Sequence, residues 1–157
     1  MPIRSDSKLD RRSFVGAAGV GIAAALASTA RLSAAELTAA EKANVDLVTA
    51  FCGSWSTRDL TKITPFLASD SVYRMSETTP PVIGPDGVRS RLESWLETSQ
   101  QIEFKILETF ATGPIVINHR IDRFVSDRPL TWEGVGVFFV KDGKIKEWSD
   151  YTIRVTR

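Results

Sequence analysis

The chain is poor in the residues that staple or metallate small proteins. Its 157 residues include one cysteine, Cys52, and one histidine, His119. A single thiol cannot close an intramolecular disulfide, and it excludes a Cys-rich zinc or iron–sulfur site. A lone imidazole excludes a His-rich metal site. Charge of one sign is also lacking. Twenty basic and 19 acidic residues leave a formal net charge of +1, so no electrostatic footprint for nucleic acid exists. The apolar run Val15–Ala27 falls short of the roughly 20 residues a membrane span needs. After residue 36 there is no internal repeat, low-complexity segment or linker. What remains is ordinary: 43% hydrophobic and 25% charged residues, in a length that suits one domain with a sizeable core.

The N-terminal 35 residues do not read as part of that domain. A polar, basic start leads to Arg11-Arg12-Ser13-Phe14-Val15, then to the Gly/Ala-rich run, then to small residues with Ser33 and Ala35 placed for cleavage. This pattern resembles a twin-arginine export signal, which implies passage of a folded protein to the periplasm. Residues 1–35 hold five of the basic and two of the acidic residues. The remaining 15 basic and 17 acidic residues give residues 36–157 a net charge of −2. Cys52 then reads as a buried apolar residue.

Residues 36–157 read as helices followed by strands, an α+β arrangement. Thr38 and Glu41 form a capping box, so a helix starts there. Val48, Phe51, Cys52 and Trp55 repeat at helical spacing and give it one apolar face. A short helix is expected over Asp59–Leu67 and a strand over Asp70–Met75. Pro80-Pro81 breaks the chain. A third helix opens at Gly84-Pro85-Asp86, with Val88, Leu92, Trp95 and Leu96 as its buried stripe. Four long strands follow, over Ile102–Phe110, Ile115–Val125, Leu130–Val140 and Lys144–Val155. Asp142-Gly143 marks the last hairpin.

Alternation along these strands places chemistry on one face. Asn118, Arg120, Asp122 and Phe124 share a side. So do Trp132, Gly134, Gly136 and Phe138 on the next strand, and Trp148, Asp150 and Thr152 on the last. If these sides face inward, an Asp–Arg–Asp cluster sits among Phe124, Trp132, Phe138 and Trp148. Buried carboxylates are costly unless paired, and the planar fork of Arg120 can pair two of them. Carboxyls in different surroundings divide into an acid and a base, the division that hydrolysis by water requires. An Arg-x-Asp on a strand is more often a surface ion pair; the combination with Asp150 and the aromatics favours a site.

Asn118-His119-Arg120-Ile121-Asp122, Gly136-Val137-Phe138, Asp142-Gly143-Lys144-Ile145 and Trp148-Ser149-Asp150-Tyr151 together resemble the limonene-1,2-epoxide hydrolase family. Val72-Tyr73 and Gly84-Pro85-Asp86-Gly87-Val88 are similar too, so the likeness spans about residues 38–153. It implies a strongly curved sheet folded over N-terminal helices, a cone shared with ketosteroid isomerase and scytalone dehydratase. It implies catalysis without metal or cofactor on a small, apolar epoxide. By the same resemblance Asp150 activates water, Asp122 protonates the epoxide oxygen, Arg120 bridges them, and Tyr73 holds the water. The family also places an Asn on the water two residues after that Tyr, where this chain has Met75. Glu77 and Asn118 are candidates for the missing contact. Met75, Phe124, Trp132, Phe138 and Trp148 are the expected substrate-binding residues.

Two alternatives stay open: an isomerase, lyase or cyclase on the same fold, favoured by Met75, and a non-catalytic carrier of an apolar ligand. His119 alternates away from Arg120 and reads as structural. Gly134-Val135-Gly136 precedes no helix and is not a phosphate loop. On the opposite face Ile115, Ile117, Ile121, Val135, Val137 and Phe139 form an apolar patch that needs a cover, which points to a homodimer.

Overall fold

The computed structural model describes residues 36–157. The expected export signal, residues 1–35, lies outside the described residues. Helix α1 (Ala39–Ser54) begins at Thr38, whose side chain accepts from the Glu41 amide while the Glu41 carboxylate accepts from the Thr38 amide at 2.8 Å. The other Glu41 oxygen accepts from the Gly113 amide at 2.7 Å, so the cap also ties α1 to a strand turn. That amide, with the amide and hydroxyl of Thr38, holds the Glu41 carboxyl below its ordinary range. Val48, Phe51, Cys52 and Trp55 are all buried as their spacing predicts.

The expected Asp59–Leu67 helix is shorter. Asp59 caps α2 (Leu60–Ile63), and Thr64–Phe66 continues as a 3-10 turn around Pro65, which has no amide to donate. Strand β1 (Leu67–Arg74) starts earlier than expected, and a two-residue strand β2 (Val82–Ile83) precedes helix α3 (Gly84–Thr98). Gly84 opens α3 with φ of 69°, where a β carbon would also meet the Ser69 carbonyl oxygen at 2.7 Å. Val88, Leu92 and Leu96 are buried; Trp95 departs from the expected stripe and is 41% exposed.

Strands β3 (Gln101–Thr112), β4 (Ile115–Val125), β5 (Leu130–Lys141) and β6 (Lys144–Thr156) form the expected meander. Asp142 and Gly143 both have positive φ, as a two-residue hairpin turn of matching twist demands. Strand order in the curved sheet is β2-β1-β6-β5-β4-β3. The sheet is antiparallel except where β1 runs parallel to β6, with Tyr73 opposite Trp148. Helix α1 packs on β3 and β4, and α3 on β1, so the core lies between the helices and one face of the sheet.

Two of the sheet's four register shifts bear on the site. The β3–β4 register shifts between Ile106 and Glu108, and the β5–β6 register between Glu133 and Gly134. The second shift leaves Ile153 unpaired, with Thr152 opposite Gly134 and Arg154 opposite Glu133. Beyond this bulge the alternation of β6 reverses, so Val155 stands opposite Trp132 on the inner side. Among the described residues no helix is long and apolar enough to cross a membrane.

Candidate active site

Cross-strand register brings the charged residues together. Gly136 of β5 pairs with Asn118 on one side and Asp150 on the other. Its missing side chain leaves the space that the Arg120 guanidinium occupies. Arg120 is 1% exposed, Asp122 4% and Asp150 6%. Arg120 Nε donates to both Asp122 oxygens, at 3.0 and 3.1 Å. Its Nη2 donates to Asp150 Oδ1 at 2.7 Å, and its Nη1 to Asn118 Oδ1 at 3.0 Å. The guanidinium carbon also lies 4.9 Å from the Trp132 ring centre and 5.2 Å from that of Phe104.

Each end of this network is held in turn. Asp150 Oδ1 accepts from the Trp148 indole at 2.8 Å. Asn118 donates to the Cys52 sulfur at 3.5 Å, which links the cluster to α1. Burial pushes the Cys52 thiol up to about 12, so it stays a neutral partner. Cys52 is the buried apolar residue that the sequence suggests.

One guanidinium faces two carboxyls, so a fully ionised cluster carries a net negative charge in an apolar setting. Burial raises both carboxyls above their ordinary range. For Asp122 burial outweighs the pull of Arg120, and the negative Asp150 adds to the rise, bringing it to about 7. Burial raises Asp150 too, against the Arg120 charge and the hydrogen bonds from Arg120 and Trp148. Asp150 receives strong donors from two groups, whereas Asp122 shares the single Nε–H. Donors to the charged form favour it, so Asp150 is the better base and Asp122 the better acid.

A cavity of about 310 Å³ opens onto both carboxyls. Of the five expected substrate-binding residues, Met75, Phe124, Trp132 and Trp148 line it, and Tyr73, expected to hold the water, lies beside them. The fifth, Phe138, is not in the wall: it is 0% exposed and packs behind the cluster, edge-on to Phe51 and stacked along Trp148. The reason is register, since Phe138 pairs with Val116 and Trp148 and so comes to lie against Phe51 of α1. Arg120 also stays behind the wall, shielded by the rings around it. Tyr73 stacks on Trp148 at 3.8 Å. Burial, and then the Asp150 charge, push its hydroxyl well above its ordinary range, so it remains a neutral donor.

The sequence reading missed other parts of the wall. Leu92 and Trp95 arrive from α3, Trp55 from the end of α1, and Phe104 from β3. Trp95 is exposed because it covers the cavity mouth, edge-on to Phe124 at 5.3 Å. Val155 and Arg157 reach the wall only through the Ile153 bulge, which no residue pattern announces. Glu77 accepts from the Thr152 amide at 2.9 Å and Asn118 from Arg120 at 3.0 Å, and neither of these two candidates lines the cavity. His119 faces outward onto Glu133 at 3.3 Å, as its alternation predicts. Among the described residues, no group of three or more His, Cys, Asp and Glu side chains converges as a metal site would require.

The SnoaL-like domain family matches residues 48–148, most of this fold, and ends just before Asp150. The chain belongs to the SnoaL-like domain family. No curated protein matches it. Among solved structures the SnoaL-like domain is similar to a Mycobacterium tuberculosis LEH-like epoxide hydrolase. That protein is 24% identical with a TM-score of 0.61, over 71% of this chain and 84% of the other. A protein assigned as a SnoaL-like polyketide cyclase from Jannaschia sp. CCS1 is 15% identical with a TM-score of 0.65, over 75% and 90% of the chains. A Catenulispora acidiphila protein with a ketosteroid isomerase-like fold, solved with trimethylamine, is 14% identical with a TM-score of 0.61, over 68% and 84%. At these identities the likeness is one of fold. The SnoaL-like fold carries isomerases, cyclases and epoxide hydrolases, so the chemistry must be argued from the site.

Proposed function

We propose that this SnoaL-like domain hydrolyses a small lipophilic epoxide to a diol, without metal or cofactor. The observation that carries the reading is the pair Asp122 and Asp150 at the floor of an aromatic cavity, both held by Arg120 behind it. Ionised Asp150 takes a proton from a water molecule. The water oxygen forms a bond to one epoxide carbon while the ring C–O bond breaks. Asp122 delivers its proton to the departing oxygen, which becomes the second hydroxyl. Atoms balance: one water adds across one C–O bond. Asp150 ends protonated and Asp122 ionised, and proton exchange with solvent restores the starting state. Arg120 stays charged throughout and orients both carboxyls. The neutral Tyr73 hydroxyl, above the same floor, is a donor or acceptor for the water. The aromatic wall excludes bulk solvent, which strengthens each of these interactions.

The test is to incubate residues 36–157 with a panel of lipophilic epoxides in ¹⁸O-water. One labelled oxygen per diol supports the reading; no diol from any member overturns it.

Met75 favours a second reading. It places a thioether beside Tyr73, where the resembled hydrolases have a water-binding Asn, and sulfur is a poor hydrogen-bond partner. In an isomerase or lyase the same pair acts on a C–H bond: Asp150 removes the proton and Asp122 protonates the receiving oxygen. Exchange of a substrate proton into deuterated water, with no diol, would distinguish it. The Arg11-Arg12 pattern supports export to the periplasm. Replacing both with Lys is expected to keep the protein in the cytoplasm, and unchanged export would rule out the twin-arginine route.

A further inference from the structure

We propose that the ligand of this site is elongated and amphipathic, with an apolar body in the inner cavity and a carboxylate held at the mouth by Arg128 and Arg157. The proposal deepens the reading above by naming the substrate class, and relies on it only for which end reacts.

A second cavity of about 590 Å³ adjoins the first. The two share Trp95, Phe124, Leu130 and Arg157, so a molecule leaving the inner cavity passes directly into the outer one. Their chemistry differs. Among the described residues, the only charged groups of the inner wall, apart from Arg157 at its rim, are Asp122 and Asp150. Among the same residues the outer wall contains Arg128, Arg157 and the hydroxyls of Thr98, Ser99 and Ser126, and no acidic residue. An anionic group therefore finds no free donor at the floor, where the Arg120 guanidinium is already engaged by Asp122 and Asp150 and an ionised Asp150 would repel it. The mouth offers it such donors.

Two local features aim the arginines there. The Ile153 bulge reverses the alternation of β6; without it Arg154 and Thr156, not Val155 and Arg157, would face the cavity. In the β4–β5 turn, Ser126 Oγ accepts from the Arg128 amide at 3.1 Å and donates to the Arg128 carbonyl at 2.8 Å, fixing that residue's backbone at the rim. Among the described residues Arg120, Arg123 and Arg154 are in ion pairs; Arg128 and Arg157, like Arg58, Arg74, Arg89 and Arg91, are in none, and of these six only Arg128 and Arg157 line the two cavities. A guanidinium fork matches a carboxylate with two parallel donors.

The experiment needs no turnover. Decanoate and decan-1-ol share one chain and differ at the head group. Each is titrated into residues 36–157, and binding is read from quenching of the cavity tryptophans. Wild type is expected to bind decanoate about tenfold more tightly, an advantage that shrinks as salt rises from 20 to 500 mM. In the Arg128→Gln/Arg157→Gln double variant the ratio of the two dissociation constants is expected to fall to about one. A wild-type ratio near one, no binding of decanoate, or an unchanged ratio in the double variant would overturn the proposal. Failure to open any epoxide would instead strike the hydrolase reading and leave this ratio untouched.

Discussion

A β carbon on Gly136 would stand 2.0 Å from Arg120 Nη1. The same atom would meet Phe138 at 2.8 Å and Asn118 Oδ1 at 2.9 Å. Glycine at this point is thus a condition for the guanidinium to lie between the two carboxyls. A flexible arginine would swing aside cheaply, but this one is fully buried and held by three other side chains.

Gly136→Ala is therefore expected to destabilise the domain by roughly 2–4 kcal/mol, through overpacking and a displaced buried charge. Gly53 is the control: it lies in α1 and a β carbon there meets nothing within 4 Å. Gly53→Ala is expected to be neutral or to stabilise by up to about 1 kcal/mol. Urea midpoints of the two variants check both signs; equal stability would mean that Arg120 has another place to go.

Asn in place of Asp122 or Asp150 keeps the shape and loses the exchangeable proton. Each single change is expected to lower diol formation by about 10²–10⁴-fold. The double variant should fall little further, because both groups serve one step. Initial rates on any turned-over epoxide measure this, and multiplicative losses would separate the two residues into different steps.

The parts of this site within one strand were legible from the sequence, and the parts between strands were not. Alternation alone places Asn118, Arg120 and Asp122 on one inward face, and β4 runs over Ile115–Val125 as its pattern predicts. Asp150 joins them because the β4–β5–β6 meander has short turns that leave few registers. The parallel β1–β6 pairing joins residues more than 70 positions apart, and nothing local encodes it. That pairing sets Tyr73 on Trp148 beside the cluster. Phe138 was misplaced for a related reason: sharing a face with Trp132 fixes its side of the sheet, not its depth. A bulge shifts alternation by one residue with no change of composition, so Val155 and Arg157 escaped notice.

Met75 lines the cavity two residues after Tyr73, just past the end of β1. If a missing hydrogen-bonding group limits water placement, Met75→Asn is expected to raise diol formation severalfold, or to create it. The amide supplies a donor and an acceptor where the thioether offers neither well. Diol yield from the wild type and variant under equal conditions decides it; an unchanged or lower yield would locate the water elsewhere.

The outer face of the sheet carries an apolar band. Phe110 stands opposite Ile117, Ile115 opposite Phe139, and Val135 opposite Tyr151. Phe110 is 60% exposed and Tyr151 47%. We propose that a second copy of the chain covers this band. Light scattering at micromolar concentration is expected to give twice the mass of residues 36–157, and Val137→Asp to return it to one copy. A single-copy mass for the wild type would leave the band without this partner.

The pH dependence follows from Asp122. Its carboxyl is raised from 3.8 to about 7, chiefly by burial. Between those values the folded protein keeps a proton that the unfolded chain releases. Stability from this group is complete below pH 3.8 and is lost as pH rises through about 7. Three units correspond to roughly 4 kcal/mol as a ceiling, since Asp150 shares the effect. Urea midpoints are thus expected to fall from pH 5 to pH 8, and Asp122→Asn to flatten that slope. Catalysis moves the same way: the acid must hold its proton, so kcat/KM is expected to fall about tenfold per unit above pH 7. A rate that stays level from pH 6 to 9, while stability falls as described, would keep Asp122 as a buried titrating group and remove it as the proton donor.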